Sequence, residues 1–315
     1  MTAVTPILDG HGPFDVNSST SNPPVATACA RVIRSRQELR SALAEARRED
    51  RTIGLVPTMG YLHEGHLSLL HAARAECDLV VMSLFVNPTQ FGPSEDLDSY
   101  PRDEERDLQL AGEAGVDFVY APPVVEVYPD GFATAVTVGG NLTAVLDGDP
   151  GRRGGEHFRG VTTIVAKLFN AVGPDVAYFG QKDAQQAAVI QRMVRDLDFP
   201  VRVAVLPTVR EPDGLAMSSR NAYLGGADRE RAVALSRALE AAERGALDGS
   251  LASGLDAARL ELERAGIEPE YLEARDAELL EPVAELGSRP VLVAVAAPVG
   301  GARLIDNVLI QPRHT

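Results

Sequence analysis

The sequence predicts an α/β protein in which a mostly parallel sheet domain is followed by a smaller α+β domain. Apolar strands alternate with amphipathic helices up to about residue 208, as in a parallel sheet that is covered on both faces. Beyond that point the composition shifts toward Ala, Glu and Arg. Because 315 residues exceed the size at which one core usually keeps growing, we expect two domains, 29–208 and 209–315.

The first domain is built from alternating elements that begin after a polar tail. Residues 1–28 are rich in Pro, Ser, Thr, Asn and Gly and show no periodicity, so they are predicted to be a disordered tail. Helical or strand periodicity then appears in nine segments. The predicted helices are near 37–48, from 64 to 77, 161–172 and 183–195, and the predicted strands are 53–57, 79–86, 116–120, 176–179 and 201–206.

The second domain is predicted to contain helices followed by strands. The helices lie near 228–244 and 255–265, and the strands near 271–275, 291–297 and 304–310. No internal repeat is present, and the domain boundary is placed near residue 208.

Charge and cysteine content limit the classes of partner. The net charge of −15 argues against nucleic acid and anionic membrane surfaces, which would repel the chain. A phosphate site would therefore be a local basic island. Two cysteines, Cys29 and Cys77, are too few for a disulfide framework and favour a reducing cytoplasm. No segment has the ~20 continuous apolar residues of a membrane span.

The most informative segment is Pro-Thr-Met-Gly-Tyr-Leu-His-Glu-Gly-His at 57–66, between a predicted strand and helix. Open α/β sheets bind ligands at this kind of turn, where a helix N-terminus offers free backbone donors. His63 and His66 share one helical face, and Gly65 allows a nucleotide to approach the backbone. Phosphate is the expected ligand, and the sheet domain is expected to be Rossmann-like.

Other interpretations of this segment are weaker. A zinc-protease helix needs His-Glu-x-x-His, and this segment is one residue short. Two surface histidines without a role remain an alternative. The sequence contains no P-loop and no Gly-x-Gly-x-x-Gly fingerprint, which disfavours P-loop kinases and ordinary dinucleotide dehydrogenases.

A second polar loop, Met-Ser-Ser-Arg-Asn at 217–221, offers two hydroxyls and a guanidinium to phosphate. Together with His-x-Gly-His, it resembles the signature pair of the nucleotidyltransferase superfamily. Within that superfamily the chain resembles the pantothenate synthetase family from about 53 to 221. The resemblance is carried, in order, by Pro-Thr-Met-Gly at 57–60, Phe-Val-Asn-Pro-Thr-Gln-Phe at 85–91, Tyr-Pro-Arg at 100–102, His-Phe-Arg-Gly-Val at 157–161, Phe-Gly-Gln-Lys-Asp at 179–183 and the run 207–221.

The resemblance implies ATP-dependent condensation of pantoate with β-alanine through an acyl-adenylate, with release of AMP and pyrophosphate. It also implies residue roles. The catalytic donors would be His63, His66, Lys182, Ser218, Ser219 and Arg220. The ATP site would add Pro57, Thr58, Met59, Gly60, Gly65, Gly180, Gln181, Asp183, Val209 and Met217.

The resemblance further implies that Gln90, Gln186, Asn87 and Tyr100 bind pantoate or β-alanine. A capped turn is the alternative for Gln90. Mg²⁺ would bridge the ATP phosphates, with Asp107 as the positional match for a carboxylate ligand. Family members are commonly dimers, so the resemblance also implies a homodimer.

Two departures from the family pattern concern the pantoate side of the site. The arginine that usually stands three residues before the His of His-Phe-Arg-Gly is replaced by Gly154, with Arg153 one residue further upstream. This shift leaves the role of Arg153 open. Ala184 replaces an aromatic residue beside Gln186. A flexible cover that excludes water is expected from 98–106 or 148–156.

Three alternative functions remain open from sequence. They are a cofactor-forming nucleotidyltransferase that leaves the nucleotide on its product, a non-enzymatic nucleotide sensor, and a fragment of a tRNA-charging synthetase. The last would need a basic anticodon-binding surface, which a net charge of −15 disfavours.

Overall fold

The computed structural model describes residues 30–92 and 97–311. The predicted disordered tail, 1–28, lies outside the described residues. The strands are β1 (Arg31–Ile33), β2 (Ile53–Thr58), β3 (Leu79–Leu84), β4 (Phe118–Tyr120), β5 (Val176–Gly180), β6 (Arg202–Leu206), β7 (Tyr271–Asp276), β8 (Val291–Val299) and β9 (Ala302–Ile310). The α-helices are α1 (Arg36–Arg48), α2 (Glu64–Glu76), α3 (Glu104–Glu113), α4 (Val124–Val127), α5 (Gly155–Val172), α6 (Ala184–Asp196), α7 (Gly226–Ala232), α8 (Ala234–Asp248) and α9 (Leu251–Arg264).

The first six strands form one parallel sheet in the order β1-β4-β3-β2-β5-β6. Successive residues of β2 pack on opposite faces. Leu55 joins a core under α1, α5 and α6, and Val56 joins a core under α2 and α3. Both are fully buried, which explains why the strand reads as a continuous apolar run. The predicted Rossmann-like class is confirmed.

The order of the strands fixes where a ligand can bind. After β2 the chain moves outward through β3 and β4, and it later returns to β5 on the other side of β2. A crevice opens at the carboxyl ends of strands where the order reverses in this way. The turns after β2 and β5 therefore face each other across that crevice.

The last three strands form an antiparallel sheet in the order β7-β8-β9. Leu239 of α8 and Leu262 of α9 pack with Val293 and Val295 of β8 in a separate core. This agrees with the predicted small α+β unit, while the boundary near residue 208 stays an interpretation. Every helix in the described ranges is too short or too polar to cross a bilayer.

The structure differs locally from the elements predicted from sequence. β1, α3 and α4 are additional elements, and the helix predicted at 161–172 begins at Gly155. The predicted helix 228–244 is divided into α7 and α8 at Val233. α3 begins at Glu104, so the last part of the predicted cover 98–106 is helical. The acidic run there is a helix start, because Asp103 caps α3 and acidic residues favour the positive end of a helix dipole.

Candidate active site

The chain leaves β2 at the carboxyl edge of the sheet and enters α2 through a tight turn. Gly60 has a φ of +88°, a conformation that glycine adopts without strain. A Cβ at this position would lie 2.6 Å from Leu84 Cδ1 and 2.8 Å from Asp107 Oδ2. Gly60 therefore shapes the turn that presents His63 and does not itself line the cavity described below.

The two histidines are oriented by backbone hydrogen bonds. His63 is the N-cap of α2, and its Nδ1 accepts a hydrogen bond from the Gly65 N–H at 3.1 Å. His66 Nδ1 accepts one from the His63 N–H at 3.4 Å. Because an accepting nitrogen is unprotonated, each neutral ring carries its proton on Nε2. The ring centroids are 4.1 Å apart, so the two rings offer neighbouring Nε2–H donors.

The surroundings keep both rings neutral near pH 7. Burial and, to a smaller extent, the positive charge of Lys182 together lower the pKa of His63 to about 4. Burial also lowers the pKa of His66 to about 3, with His63 and Lys182 adding to the effect. Neutral donors beside Lys182 can bind phosphate oxygens without repelling the lysine.

Lys182 lies in a short 3-10 turn, Gln181–Asp183, between β5 and α6. Its Nζ is 3.9 Å from Asp183 Oδ1. The Gln181 side chain donates to Asn307 Oδ1 at 3.0 Å. Lys182 and both histidines line the same cavity.

The loop with the paired serines is held by a small hairpin. Arg210 forms a β-bridge with Ala216, and the Met217 N–H donates to Val209 O at 3.0 Å. Ser218 then caps the 3-10 turn Ser219–Tyr223 by accepting from the Arg220 N–H at 3.2 Å.

These segments meet around one cavity of about 260 Å³. An adjoining cavity of about 610 Å³ against β9 shares Lys182, Ser218 and Arg220 with it. The first cavity thus brings together the paired imidazoles and the paired hydroxyls. The predicted residues that line it are Pro57, Thr58, Met59, His63, Gly65, His66, Asn87, Gln90, Tyr100, Gly180, Lys182, Asp183, Gln186, Val209, Met217, Ser218, Ser219 and Arg220. Gly60 and Gln181 are not among the lining residues.

Cationic and acidic side chains both line the cavity. Lys182, Arg153 and Arg220 line both compartments. Three carboxylates line them as well: Asp306 is paired with Arg210, Asp147 is paired with Arg303, and Asp183 lies 3.9 Å from Lys182. The basic island predicted from the net charge therefore stays a prediction.

Two of the amides predicted for pantoate, Asn87 and Gln90, are hydrogen-bonded to each other. Gln90 Oε1 accepts from Asn87 Nδ2 at 3.0 Å, and Gln90 Nε2 donates to Met59 Sδ at 3.1 Å. Asn87 is 1% exposed, and its Oδ1 accepts from Tyr128 OH at 2.8 Å. Asn87 is therefore placed to orient Gln90. Tyr100 OH lies 3.4 Å from Ser219 Oγ.

Asp107 does not fit the metal role that the resemblance implied. The residue is 1% exposed, and its two oxygens accept from the Tyr61 and Leu62 N–H groups at 2.7 Å each. It lies beneath the turn before His63, outside the residues that line the cavity. We therefore do not retain it as a Mg²⁺ ligand. In the described part of the chain, no three or more His, Cys, Asp or Glu side chains form a ready-made metal cluster.

The structure separates the roles of two neighbouring arginines. Arg152 packs over the Tyr271 ring at 4.8 Å and donates to Leu146 O at 2.9 Å, so it joins the 148–156 segment to the second sheet. Arg153 reaches both cavities despite its shifted position. Ala184 also lines the first cavity, beside Gln186.

Sequence reasoning missed the contribution of β9, and of His157, to the site. Ile305, Asp306 and Asn307 of β9 line the first cavity, and so does His157, whose Nδ1 is 2.7 Å from Gln90 O. The available signal for β9 was an acidic residue and an amide inside an otherwise apolar strand pattern, at positions that are only 3% and 5% exposed. Polar residues buried in a strand need partners. Here Asp306 pairs with Arg210, and Asn307 binds Gln181 and Lys182 of the first domain.

Comparison with known proteins agrees with the site geometry. A family profile described as Pantoate-beta-alanine ligase matches residues 31–309. The pantothenate synthetase of Acetivibrio thermocellus is 53% identical over 287 residues, covering 89% of this chain and 99% of the relative. That of Moorella thermoacetica is 54% identical over 276 residues, covering 87% and 96%.

Solved structures give the same result. The pantothenate synthetase from Thermus thermophilus superposes with a TM-score of 0.85 at 49% identity, covering 90% of this chain and 100% of that chain. The pantoate-beta-alanine ligase from Francisella tularensis, complexed with beta-gamma ATP and beta-alanine, has a TM-score of 0.74 at 31% identity and covers 89% and 97%. The chain therefore belongs to the pantoate–β-alanine ligase family.

Proposed function

We propose that this cavity condenses pantoate with β-alanine at the expense of ATP, through a pantoyl-adenylate, and releases AMP and pyrophosphate. The observation that carries the proposal is the meeting of His63 and His66 with the Ser218–Arg220 loop around one cavity that also contains Lys182. The histidine turn lies more than a hundred residues before the other two segments in the chain. Convergence of so many donors suits a triphosphate whose charge must be stabilised during transfer.

In the first half-reaction the pantoate carboxylate attacks the α-phosphate of ATP and pyrophosphate leaves. His63 and His66 donate through Nε2 to phosphate oxygens, and Lys182 neutralises charge that develops on the leaving group. Ser218, Ser219 and Arg220 bind the other side of the triphosphate. Because both histidines are already neutral and oriented, the site needs little reorganisation when charge develops.

Gln90 and Gln186 hold pantoate beside the α-phosphate. Gln90 is fixed by Asn87 and Met59, so its amide is oriented before the substrate arrives. Neutral amides can bind the carboxylate and hydroxyls of pantoate without a cation that would weaken the carboxylate as a nucleophile.

In the second half-reaction the amine of β-alanine attacks the acyl carbonyl of pantoyl-adenylate and AMP leaves. The mixed anhydride must be kept from water. The segment 148–156 carries Arg153 to the cavity and is anchored by Arg152 on the second sheet. It is our candidate for the cover.

ATP is used as its Mg²⁺ complex in this proposal. Mg²⁺ commonly takes one carboxylate and keeps waters and phosphate oxygens as its other ligands. Asp183 fits this need, because it lines both compartments and its side chain is 47% exposed. When bound, the ion would neutralise phosphate charge.

We also propose that the protein works in the cytoplasm as a homodimer. In support, Val124 and Val125 are 50% and 62% exposed, and Phe132, eight residues beyond Val124, is 37% exposed. Sedimentation velocity of the purified protein tests the dimer, and a monomer at micromolar concentration would contradict it.

The test of function is an omission series with ATP, Mg²⁺, pantoate and β-alanine, in which AMP release and pantothenate formation are followed. The complete mixture should yield both products, and omission of pantoate should abolish AMP release. His66→Ala should lower turnover by more than ~100-fold, because a donor that acts in the transition state is worth that much. Accumulation of a nucleotidylated product would instead favour a cofactor-forming nucleotidyltransferase, and ATP binding without turnover would favour a sensor.

A further inference from the structure

One buried amide of the second domain directs its side-chain hydrogen bonds to a single turn of the first. Asn307, in β9, is 5% exposed. Its Nδ2 donates to Gln181 O at 3.0 Å and to Lys182 O at 2.9 Å. Its Oδ1 accepts from Gln181 Nε2 at 3.0 Å. Two of these hydrogen bonds hold the backbone that carries Lys182, and the third holds the neighbouring Gln181 side chain.

The turn has no side-chain cap of its own. The N-cap of the 3-10 turn is Gly180, which has no side chain, and Asp183, the N-cap of α6, makes no side-chain capping bond. Asp183 is also outside helical geometry, with φ −98° and ψ 55°. No cap therefore fixes the turn, and the bonds from Asn307 to the Gln181 and Lys182 carbonyl oxygens attach it to β9.

Asn307 is itself rigidly placed. Its residue pairs with Ala294 in the middle of the β8–β9 ladder, and its N–H donates to Asp306 Oδ1 at 2.8 Å. Asp306 in turn binds Arg210 in a two-point ion pair with distances of 2.6 and 3.0 Å. Arg210 belongs to the hairpin that precedes the Ser218–Arg220 loop. Two consecutive residues of β9 therefore hold both sides of the crevice.

We propose that Asn307 is a positioning residue for adenylation: its three hydrogen bonds to Gln181 and Lys182 set the place from which the Lys182 ammonium reaches the phosphates. The inference rests on the proposed role of Lys182. Lysine is a flexible side chain, so the position of its backbone limits where its charge can be held during the reaction. A displacement of about 1 Å can cost on the order of 100-fold in rate.

Separate measurement of the two half-reactions distinguishes a positioning role of Asn307 from a general effect on stability. Pantoate-dependent exchange of labelled pyrophosphate into ATP reports adenylation, and transfer of the pantoyl group from supplied pantoyl-adenylate to β-alanine reports the second step. Asn307→Ala should lower the exchange rate at saturating ATP by roughly 10- to 100-fold. The transfer step, in which no triphosphate reacts, should change by less than about 3-fold.

An isosteric variant and a matched control sharpen the result. Asn307→Asp keeps the shape and the acceptor but turns a carboxylate toward two carbonyl oxygens, so exchange should fall at least as far as in Asn307→Ala. Val295→Ala is the control, because Val295 lies opposite Asp306 in the ladder, is fully buried and does not line either cavity. It should lower the melting temperature and leave exchange nearly unchanged.

A double-mutant cycle with Lys182→Ala tests the role of Lys182 and the role of Asn307 separately. If Lys182→Ala alone exchanges normally, the proposed function of Lys182 fails. If Lys182→Ala is impaired and the loss from Asn307→Ala disappears in the double variant, Asn307 acts through Lys182. The inference is overturned if the losses in exchange rate of the two single variants multiply in the double variant. It is also overturned if a folded Asn307→Asp variant exchanges at a near-normal rate. The aspartate variant keeps the test decisive even if the alanine variant does not fold.

Discussion

Replacing Asp107 with asparagine removes one of the two oxygens that hold the turn before His63. The Tyr61 and Leu62 N–H groups each donate to a different carboxylate oxygen at 2.7 Å. An asparagine can accept only one of these bonds, and its NH₂ group would face the other donor. A buried donor left without a partner costs about 1–3 kcal/mol, which in a domain of this size corresponds to a melting-temperature loss of roughly 3–10 °C.

The same change should weaken ATP binding without altering the metal requirement. Because the turn presents His63, we expect the KM for ATP to rise several-fold while the Mg²⁺ concentration for half-maximal activity stays constant. Asp103→Asn is the matched control, since it removes a nearby exposed charge and asparagine is an equally good N-cap. Steady-state kinetics over a Mg²⁺ series and thermal denaturation measure both effects. An Asp107→Asn protein with unchanged melting temperature and a raised Mg²⁺ requirement would restore Asp107 as a metal ligand and refute the structural role.

Three further outcomes are expected. The unfolded pKa of His63, ~6.5, lies above its folded value of about 4, so the unfolded state binds more protons between these values and the free energy of unfolding should decrease as pH falls from 6.5 toward 4. Urea denaturation at a series of pH values should show a shallower decrease in the free energy of unfolding for His63→Asn. An identical pH dependence in the two proteins would exclude His63 as its source. Gly160→Ala would put a Cβ 2.4 Å from Thr89 O, so it should cost about 1–3 kcal/mol and raise the KM for pantoate; normal values for both would mean that the Thr89–Gln90 segment moves freely. Asp183→Asn should raise the Mg²⁺ concentration for half-maximal activity several-fold with little change in melting temperature, and an unchanged Mg²⁺ curve would remove Asp183 as a ligand.

The two signature segments could be located from sequence because each is a short local pattern next to a strongly periodic element. The apolar run of β2 and the helical face of α2 bracket the His-x-Gly-His turn, and parallel strands place such turns at one edge. The same reasoning missed α3, because its amphipathic face is short and its first turn reads as a solvated charge run. The family resemblance also gave Asp107 as a Mg²⁺ ligand, because a positional match gives no information about which backbone donors a side chain will meet.

What the sequence determined by itself is therefore the α/β class, the order of its elements, the family resemblance and most of the residues that line the cavity. The tertiary structure alone decided how those residues are oriented: the Nε2–H form of His63 and His66, the buried support by Asp107, and the attachment of the Lys182 turn to Asn307. The physical reason is the distance along the sequence between the groups that interact. Periodicity and capping act over a few residues, whereas the bond from Asn307 to Lys182 joins groups 125 positions apart and requires β9 to pack against the turn after β5.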